Sequence, residues 1–258
     1  MTADTALEVK GLVKSFDGFK AVSDVSFAVA SAEVVALIGP NGAGKTTTFN
    51  LINGQLKPDQ GRVTIDGADV TGLAPRALWR RGVARTFQIT ATFASMTVRE
   101  NVAVGVMAAS GGPWRWPGSF QRMPALDAAE THQLMVDVGL EDFADRVCGT
   151  LAYGDLKRVE LAVALANAPR LLLMDEPTAG MAAAERGALM ALAVGTARSR
   201  GASILFTEHD MGVVFRYAER VLVMSRGELI ATGTPDEIHD NPQVRDVYLG
   251  QSVVEGRP

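Results

Sequence analysis

The sequence predicts an α/β fold in which parallel strands present their chemistry at their carboxyl ends. Three observations carry that prediction. An apolar run, Val34-Val35-Ala36-Leu37-Ile38, leads into a glycine-rich turn and then a helix-like stretch over residues 46–53. A second run, Leu171-Leu172-Leu173-Met174, ends in Asp175-Glu176. A third, Ser203-Ile204-Leu205-Phe206-Thr207, delivers Glu208 and His209. Short apolar runs of this kind suit strands buried on both faces. Ligands of open α/β sheets bind outside the carboxyl ends of such strands.

The turn after the first run is Gly39-Pro40-Asn41-Gly42-Ala43-Gly44-Lys45-Thr46. This is GxxxxGK[ST] between a strand and a helix, the context in which the pattern cradles phosphate. The loop must aim its backbone N–H groups at one point, and glycines permit that close approach. The helix that follows adds the partial positive charge of its N-terminus. Lys45 would reach the β- and γ-phosphates, the Thr46 hydroxyl would ligate Mg²⁺, and Thr47 would sit beside it. The expected ligand is ATP with Mg²⁺.

Composition bounds the rest. The chain of 258 residues suits one large α/β domain, or a core with a subdomain. Hydrophobic residues make up 47% and charged residues 21%, ordinary for a globular chain. A net charge of −4 gives no support to a nucleic-acid partner. The single cysteine, Cys148, cannot form an internal disulfide, so a reducing compartment fits. Asp4, Glu8 and Lys10 near the start argue against a signal peptide. No apolar run approaches the roughly 18 residues of a membrane helix, so any membrane role must come through a partner.

In chain order, Leu7-Glu8-Val9 and residues 22–29 read as strands flanking the phosphate loop. Asp17-Gly18 between them is a hairpin turn signal. Phe16, just before it, could stack on adenine or serve as a core aromatic. Residues 62–66 read as another strand, ended by Asp66-Gly67. Val83-Ala84-Arg85-Thr86-Phe87-Gln88 is a short strand ending in a polar amide. Residues 97–150 are mostly helical, opened by the capping-box pattern Thr97-Val98-Arg99-Glu100. Residues 110–118, punctuated by Gly and Pro, read as a loop with two of the three tryptophans, Trp114 and Trp116. Those rings suit either packing over the helices or docking to a partner. Leu151-Ala152-Tyr153-Gly154-Asp155 precedes a helix expected over residues 156–168, stopped by Pro169. Leu156, Val159 and Val163 would face its core. Residues 182–200 are Ala-rich and helical, and residues 221–224 and 228–231 form a last hairpin around Arg226-Gly227.

Three strand ends therefore converge: residues 39–46, Asp175 with Glu176, and His209. Asp175 would hold Mg²⁺, as a Walker-B carboxylate does. Glu176 would orient or deprotonate the attacking water. Adjacent strand positions point to opposite faces, so the two carboxylates can take different roles. His209 would contact the γ-phosphate and sense its presence. Gln88 could contact Mg²⁺ and water across the cleft.

With these residues assembled, the chain resembles the ATP-binding subunit of an ABC transporter over essentially its whole length. The matching segments are the Walker A loop 39–46, the Q-loop at Gln88, the signature 151–155, Walker B 171–176 and the switch His209. Finer wording is similar to the ATPases of branched-chain amino acid importers: Ala84-Arg85-Thr86-Phe87-Gln88, Asp175-Glu176-Pro177-Thr178-Ala179-Gly180-Met181, Phe206-Thr207-Glu208-His209-Asp210-Met211 and Val247-Tyr248-Leu249-Gly250. The resemblance implies a P-loop NTPase core with a mixed sheet and an antiparallel β subdomain over residues 1–88 and 151–250, and an inserted helical subdomain near 89–150. It implies ATP held between one Walker A loop and the signature of a second ATPase chain, with Ala152, Tyr153 and Gly154 facing that nucleotide. A paralogous heterodimer is the expected pairing, a homodimer the other. Two transmembrane permeases, an extracytoplasmic binding protein acting indirectly and a peripheral place on the cytoplasmic membrane face follow from the same resemblance. Rivals are another small polar cargo such as urea or short amides, a non-transport ABC ATPase acting on DNA or the ribosome, and a P-loop kinase. The second of these usually carries two nucleotide modules or a long coiled coil, and the third needs no 151–155 motif.

Two departures stand out. The usual signature is Leu-Ser-Gly-Gly-Gln, and this chain has Ala152 at the serine and Asp155 at the glutamine. The D-loop position that usually carries an acid is Ala182. Losing the serine hydroxyl removes a charge-assisted bond of about 1.5–3 kcal/mol. Gly154 N–H and the following helix N-terminus would still bind phosphate. The expectation is two unequal ATP sites.

Overall fold

In the computed structural model, residues 4–86, 92–110 and 125–247 are described, with residues 125–127 as backbone alone. The elements in order are β1 (Thr5–Phe16), β2 (Phe19–Ala30), β3 (Val34–Ile38), α1 (Lys45–Ile52), β4 (Gln60–Ile65), β5 (Ala68–Asp69), α2 (Pro75–Trp79) and β6 (Val83–Thr86). Then come α3 (Val98–Ala109), α4 (Ala125–Asp137), α5 (Tyr153–Leu165), β7 (Leu171–Asp175), α6 (Ala183–Ser199), β8 (Ser203–Thr207), α7 (Met211–Tyr217), β9 (Arg220–Ser225), β10 (Glu228–Gly233) and α8 (Pro235–Asp240).

Two sheets form. A six-stranded sheet runs in the order β10-β9-β3-β8-β7-β6, with β10 antiparallel to β9 and every other pairing parallel. A four-stranded antiparallel sheet runs β2-β1-β4-β5. Strand periodicity explains how they layer. In β3, Val34, Ala36 and Ile38 point into one hydrophobic core while Val35 and Leu37 point into another. Leu172 and Met174 of β7 join the first core, and Leu171 and Leu173 the second. The first core is filled by helices, with Val98, Leu134, Val159 and Met190 among its members. The second is filled by α1 and the antiparallel sheet, with Phe49, Leu7, Val25 and Ile65. The central strands are covered on both faces, and all five residues of β3, of β7 and of β8 are buried. Their polar residues can only gather at the strand ends.

Local signals account for several boundaries. The hairpin turns at Asp17-Gly18, Asp66-Gly67 and Arg226-Gly227 join antiparallel partners as expected. Thr97 and Glu100 form the anticipated capping box on α3. The helix after the signature differs from expectation. It spans Tyr153–Leu165, starting earlier and ending earlier than residues 156–168. It begins at once because Ala152 already takes an extended N-cap conformation, and it ends before Ala168, which turns to φ 44° ahead of Pro169. Val159 is in the core, with Leu156 and Val163 packed against it. Cys148 is buried and accepts a hydrogen bond from Asn101 Nδ2 at 3.2 Å. Burial, with Glu100 nearby, pushes its thiol up, away from the reactive thiolate. Among the described residues no helix is long and apolar enough to cross a membrane.

Candidate functional site

β3 aims the chain straight into the phosphate loop. Gly39 follows Ile38, and a Cβ on it would lie 2.2 Å from the Met224 carbonyl oxygen of the neighbouring β9. Only glycine fits. Gly44 caps α1 in the left-handed region at φ 101°, where a Cβ would stand 2.5 Å from the Ala21 carbonyl oxygen. Helix α1 has no side-chain cap and no acidic residue in its first turn. Its leading N–H groups therefore face outward with the positive end of the dipole. Asn41, Gly42 and Thr46 are exposed, Pro40, Gly44 and Thr47 half-buried, and Ala43 buried. Lys45 is 7% exposed. Its ammonium donates to the Gly39 carbonyl at 2.6 Å and to the Pro40 carbonyl at 3.1 Å. Burial pulls its pKa down, against the opposing attraction of Glu176 and Asp175.

The carboxylate edge lies beside it. Asp175 ends β7 and is buried. Its Oδ1 accepts from Thr207 Oγ1 at 2.8 Å, and its Oδ2 accepts from Arg85 Nη2 at 2.7 Å. Glu176 is not a further strand residue, as its pairing with Asp175 suggested. It turns to φ 47°, a region a glutamate seldom occupies. The two carboxylates part company through this left-handed turn rather than by strand alternation. Two hydrogen bonds hold the turn, from Glu176 N to the Thr207 carbonyl at 3.1 Å and to Thr207 Oγ1 at 3.0 Å. A strained residue kept in place by its surroundings is a mark of a functional position. Glu176 Oε1 lies 2.9 Å from His209 Nε2. The histidine ring is half exposed, so the pair faces open space.

Glu208, between β8 and His209, is a residue the motif reading passed over. It is buried, and its Oε1 accepts from Thr178 N at 2.8 Å and Thr178 Oγ1 at 2.6 Å. Its Oε2 accepts from His209 N at 3.2 Å. The loop after β7 is thus pinned to the loop after β8. Arg186 adds a second brace, donating to the Met181 carbonyl at 3.0 Å and to Asp210 at 2.8 Å. A buried carboxylate at a strand end was the one signal in the sequence for Glu208. Arg85 and Thr207 gave none.

Lys45, Asp175, Glu176 and His209 meet at one edge. The signature residues do not belong to it. Ala152 and Tyr153 are exposed at the start of α5, and Gly154 is half-buried with Met181 beyond its Cα. Phe16 is 43% exposed, with the Lys14 ammonium 5.6 Å from its ring centroid, so it is not a core aromatic. Gln88, the Trp114 and Trp116 loop and residues 248–250 lie outside the described residues.

The donors at this edge are hydroxyl and carboxylate oxygens, which suit a hard divalent cation. Among the described residues no group of three or more His, Cys, Asp or Glu could hold a metal alone.

A sequence family described as ABC transporter matches residues 22–179, and one described as branched-chain amino acid ATP-binding cassette transporter matches residues 228–254. The chain is 38% identical over 251 residues to the high-affinity branched-chain amino acid transport ATP-binding protein BraF of Pseudomonas aeruginosa, covering 95% of this chain and 98% of the relative. It is 39% identical over 253 residues to the LivG protein of the same description from Salmonella typhimurium, with the same shares covered. A solved ATP-binding cassette of an ABC transporter, in its ADP conformation, superposes with a TM-score of 0.84 at 32% identity, covering 95% of this chain and 99% of that one. A phosphate loop beside a braced carboxylate edge, in a chain matched over 95% of its length by these relatives, places it among the ABC transporter ATPases, the family to which the chain belongs.

Proposed function

We propose that this ATPase powers an importer for branched-chain amino acids from the cytoplasmic face of the cell membrane. Two permease subunits would bind it there, and an extracytoplasmic binding protein would feed them. The relatives' descriptions and the matched segment 228–254 support the cargo. The chemistry rests on one observation, the Glu176–His209 pair at 2.9 Å beside the buried Lys45.

ATP enters at the phosphate loop. Lys45 gives up the Gly39 and Pro40 carbonyls and turns to the β- and γ-phosphates, and the open N–H groups of α1 receive their charge. Thr46 and Asp175 would hold Mg²⁺, with Gln88 as the third residue of that set, and the metal would supply positive charge against the phosphates. Glu176 orients a water on the γ-phosphorus and takes its proton as the new P–O bond forms and the bond to ADP breaks. His209 Nε2, which lies on the Glu176 carboxylate here, would turn its N–H to the γ-phosphate once ATP is bound. Phe16 lies open at the hairpin edge for the adenine ring.

A second ATPase chain, most simply a paralogue, closes over this edge. In return Ala152, Tyr153 and Gly154 face the nucleotide on the partner. Ala152 makes no side-chain cap and offers no hydroxyl, and Asp155 adds negative charge in the first turn. The site completed by this signature therefore hydrolyses more slowly. In the heterodimer, equal loss of turnover on mutating each chain's Walker-B glutamate would overturn that inequality. For cargo, deletion of the gene should abolish ATP-dependent uptake of leucine, isoleucine and valine. Intact uptake of all three, with loss of urea or short-amide uptake, would reassign the solute.

A further inference from the structure

Two of the residues read above as facing Mg²⁺, Thr46 and Asp175, sit on different elements, and one side chain joins those elements. Thr46 lies in the first turn of α1, and Asn50 lies four residues on, on the same helical face. Arg85, on β6, donates from Nη1 to Asn50 Oδ1 at 2.7 Å and to Gln55 Oε1 at 3.1 Å. From Nη2 it donates to Asp175 Oδ2 at 2.7 Å. Its side chain and that of Asp175 are each 11% exposed. The planar guanidinium fork thus spans from α1 to the end of β7. No Lys could make the same bridge, since its donors radiate from one point.

We propose that Arg85 is a positioning residue that fixes the spacing of the Thr46 hydroxyl and the Asp175 carboxylate, and so sets the affinity for the magnesium–nucleotide complex. The inference rests on the reading of Asp175 and Thr46 as metal-facing groups. Arg85 reaches Asp175 on one oxygen while Thr207 takes the other, so the carboxylate plane cannot turn. On the other side it reads the helix through Asn50 and the turn beyond it through Gln55. A ligand pair on two elements needs such a tie, because outer partners of metal ligands orient them.

The test uses the full chain and a fluorescent ATP analogue, with binding measured in excess chelator and across a Mg²⁺ titration. In Arg85→Met the half-saturating Mg²⁺ should rise about tenfold or more, while binding in chelator stays within twofold. Arg85→Lys should fall between Met and wild type. Asn50→Ala cuts the bridge at α1 and Gln55→Ala at the turn beyond it, and both leave the Arg85–Asp175 pair intact. They should move the Mg²⁺ midpoint in the same direction, and they carry the test if Arg85→Met does not fold. An unmoved midpoint in Asn50→Ala and Gln55→Ala, or Arg85→Lys equal to wild type, overturns the bridge. Asp175→Asn separates the two readings. If it leaves the midpoint unmoved, the metal assignment of Asp175 fails. If it shifts the midpoint and Arg85→Met does not, only the role of Arg85 fails.

Discussion

The carboxyl edge of the six-stranded sheet and the N-terminus of α5 both face open space, yet they are built in opposite ways. At the sheet edge Asp175, Glu176 and Lys45 are each held. Asp175 is held by Arg85 and Thr207, Glu176 by Thr207 and His209, and Lys45 by two loop carbonyls. At the start of α5, Ala152 and Tyr153 are exposed and no side chain caps the helix. The difference teaches where pre-organisation is invested. Groups that must act on a reacting atom are fixed in advance, since misplacement of about 1 Å can cost roughly 10²-fold. The surface we propose to receive the partner's phosphate would need little beyond bare N–H groups and a dipole.

The strongest break in this comparison is Glu176→Gln. It keeps the shape and the turn at φ 47° but removes the base. Turnover should fall at least about 10²-fold, while ATP stays bound and the dimer stays closed. Steady-state phosphate release, read beside retention of labelled ATP, checks it; normal turnover would remove Glu176 from the mechanism. Thr207→Val comes next. The hydroxyl donates to Asp175 and accepts from Glu176 N, so the isosteric change frees one Asp175 oxygen and leaves the Glu176 turn on its bond to the Thr207 carbonyl alone. A buried acceptor left without its donor costs about 1–3 kcal/mol. Denaturant unfolding should show that loss, and turnover should drop with no matching loss of nucleotide affinity.

How much of this could be read from the sequence follows from the range of each interaction. The strands β3, β7 and β8 were legible because both their faces are buried and the apolar runs are unbroken. Lys45 was legible from its glycine-rich loop pattern, and Asp175, Glu176 and His209 because a strand must end where they stand. The braces were not. Arg85 meets Asp175 across 90 residues of chain, and Thr207 meets it across 32, and no local pattern encodes such partners. The turn at Glu176 was hidden for a different reason, since nothing about glutamate announces a positive φ. The start of α5 was misplaced because alanine is a poor capping residue and gives no start signal.

Asp210→Ala removes the outermost brace of the held region and has a smaller effect. Asp210 Oδ1 accepts from Gly212 N at 2.9 Å and Val213 N at 3.3 Å, capping α7, while Oδ2 accepts from Arg186. Losing the cap costs about 1 kcal/mol, with little added by the half-exposed ion pair. The bond from Arg186 holds the Asp210 carboxyl below its ordinary range, desolvation opposes it, and the α7 N–H groups add to the lowering. A depressed folded pKa means that this stability is fully present above the unfolded value and is lost as pH falls through the folded one. The gap between wild type and Asp210→Ala, measured by chemical unfolding, should be widest near neutrality. It should narrow below about pH 4, where the unfolded carboxyl gains its proton.

The last prediction works on the other region, by adding what it lacks. Ala152 has φ −65° and ψ 154°, the extended geometry of an N-cap, but no oxygen to offer the helix. In Ala152→Ser the hydroxyl can accept from the N–H of Gly154 or Asp155 with no change of backbone. α3 supplies the internal standard, because Thr97 occupies the same position there and does accept from Glu100 N at 3.2 Å. A cap is worth about 1 kcal/mol, and in a chain of this size that moves Tm by about 2–4 °C. Asp155 already sits in the first turn of α5 and answers part of the dipole, so the gain belongs at the low end of that range. Paired thermal melts decide the matter. Ala152→Ser should rise by a smaller step than Thr97→Ala falls, because Thr97 also takes part in a reciprocal capping box that Ala152→Ser does not create. A drop in Tm for Ala152→Ser would mean that the bare N-terminus of α5 is not bare, and the contrast between the two regions would close.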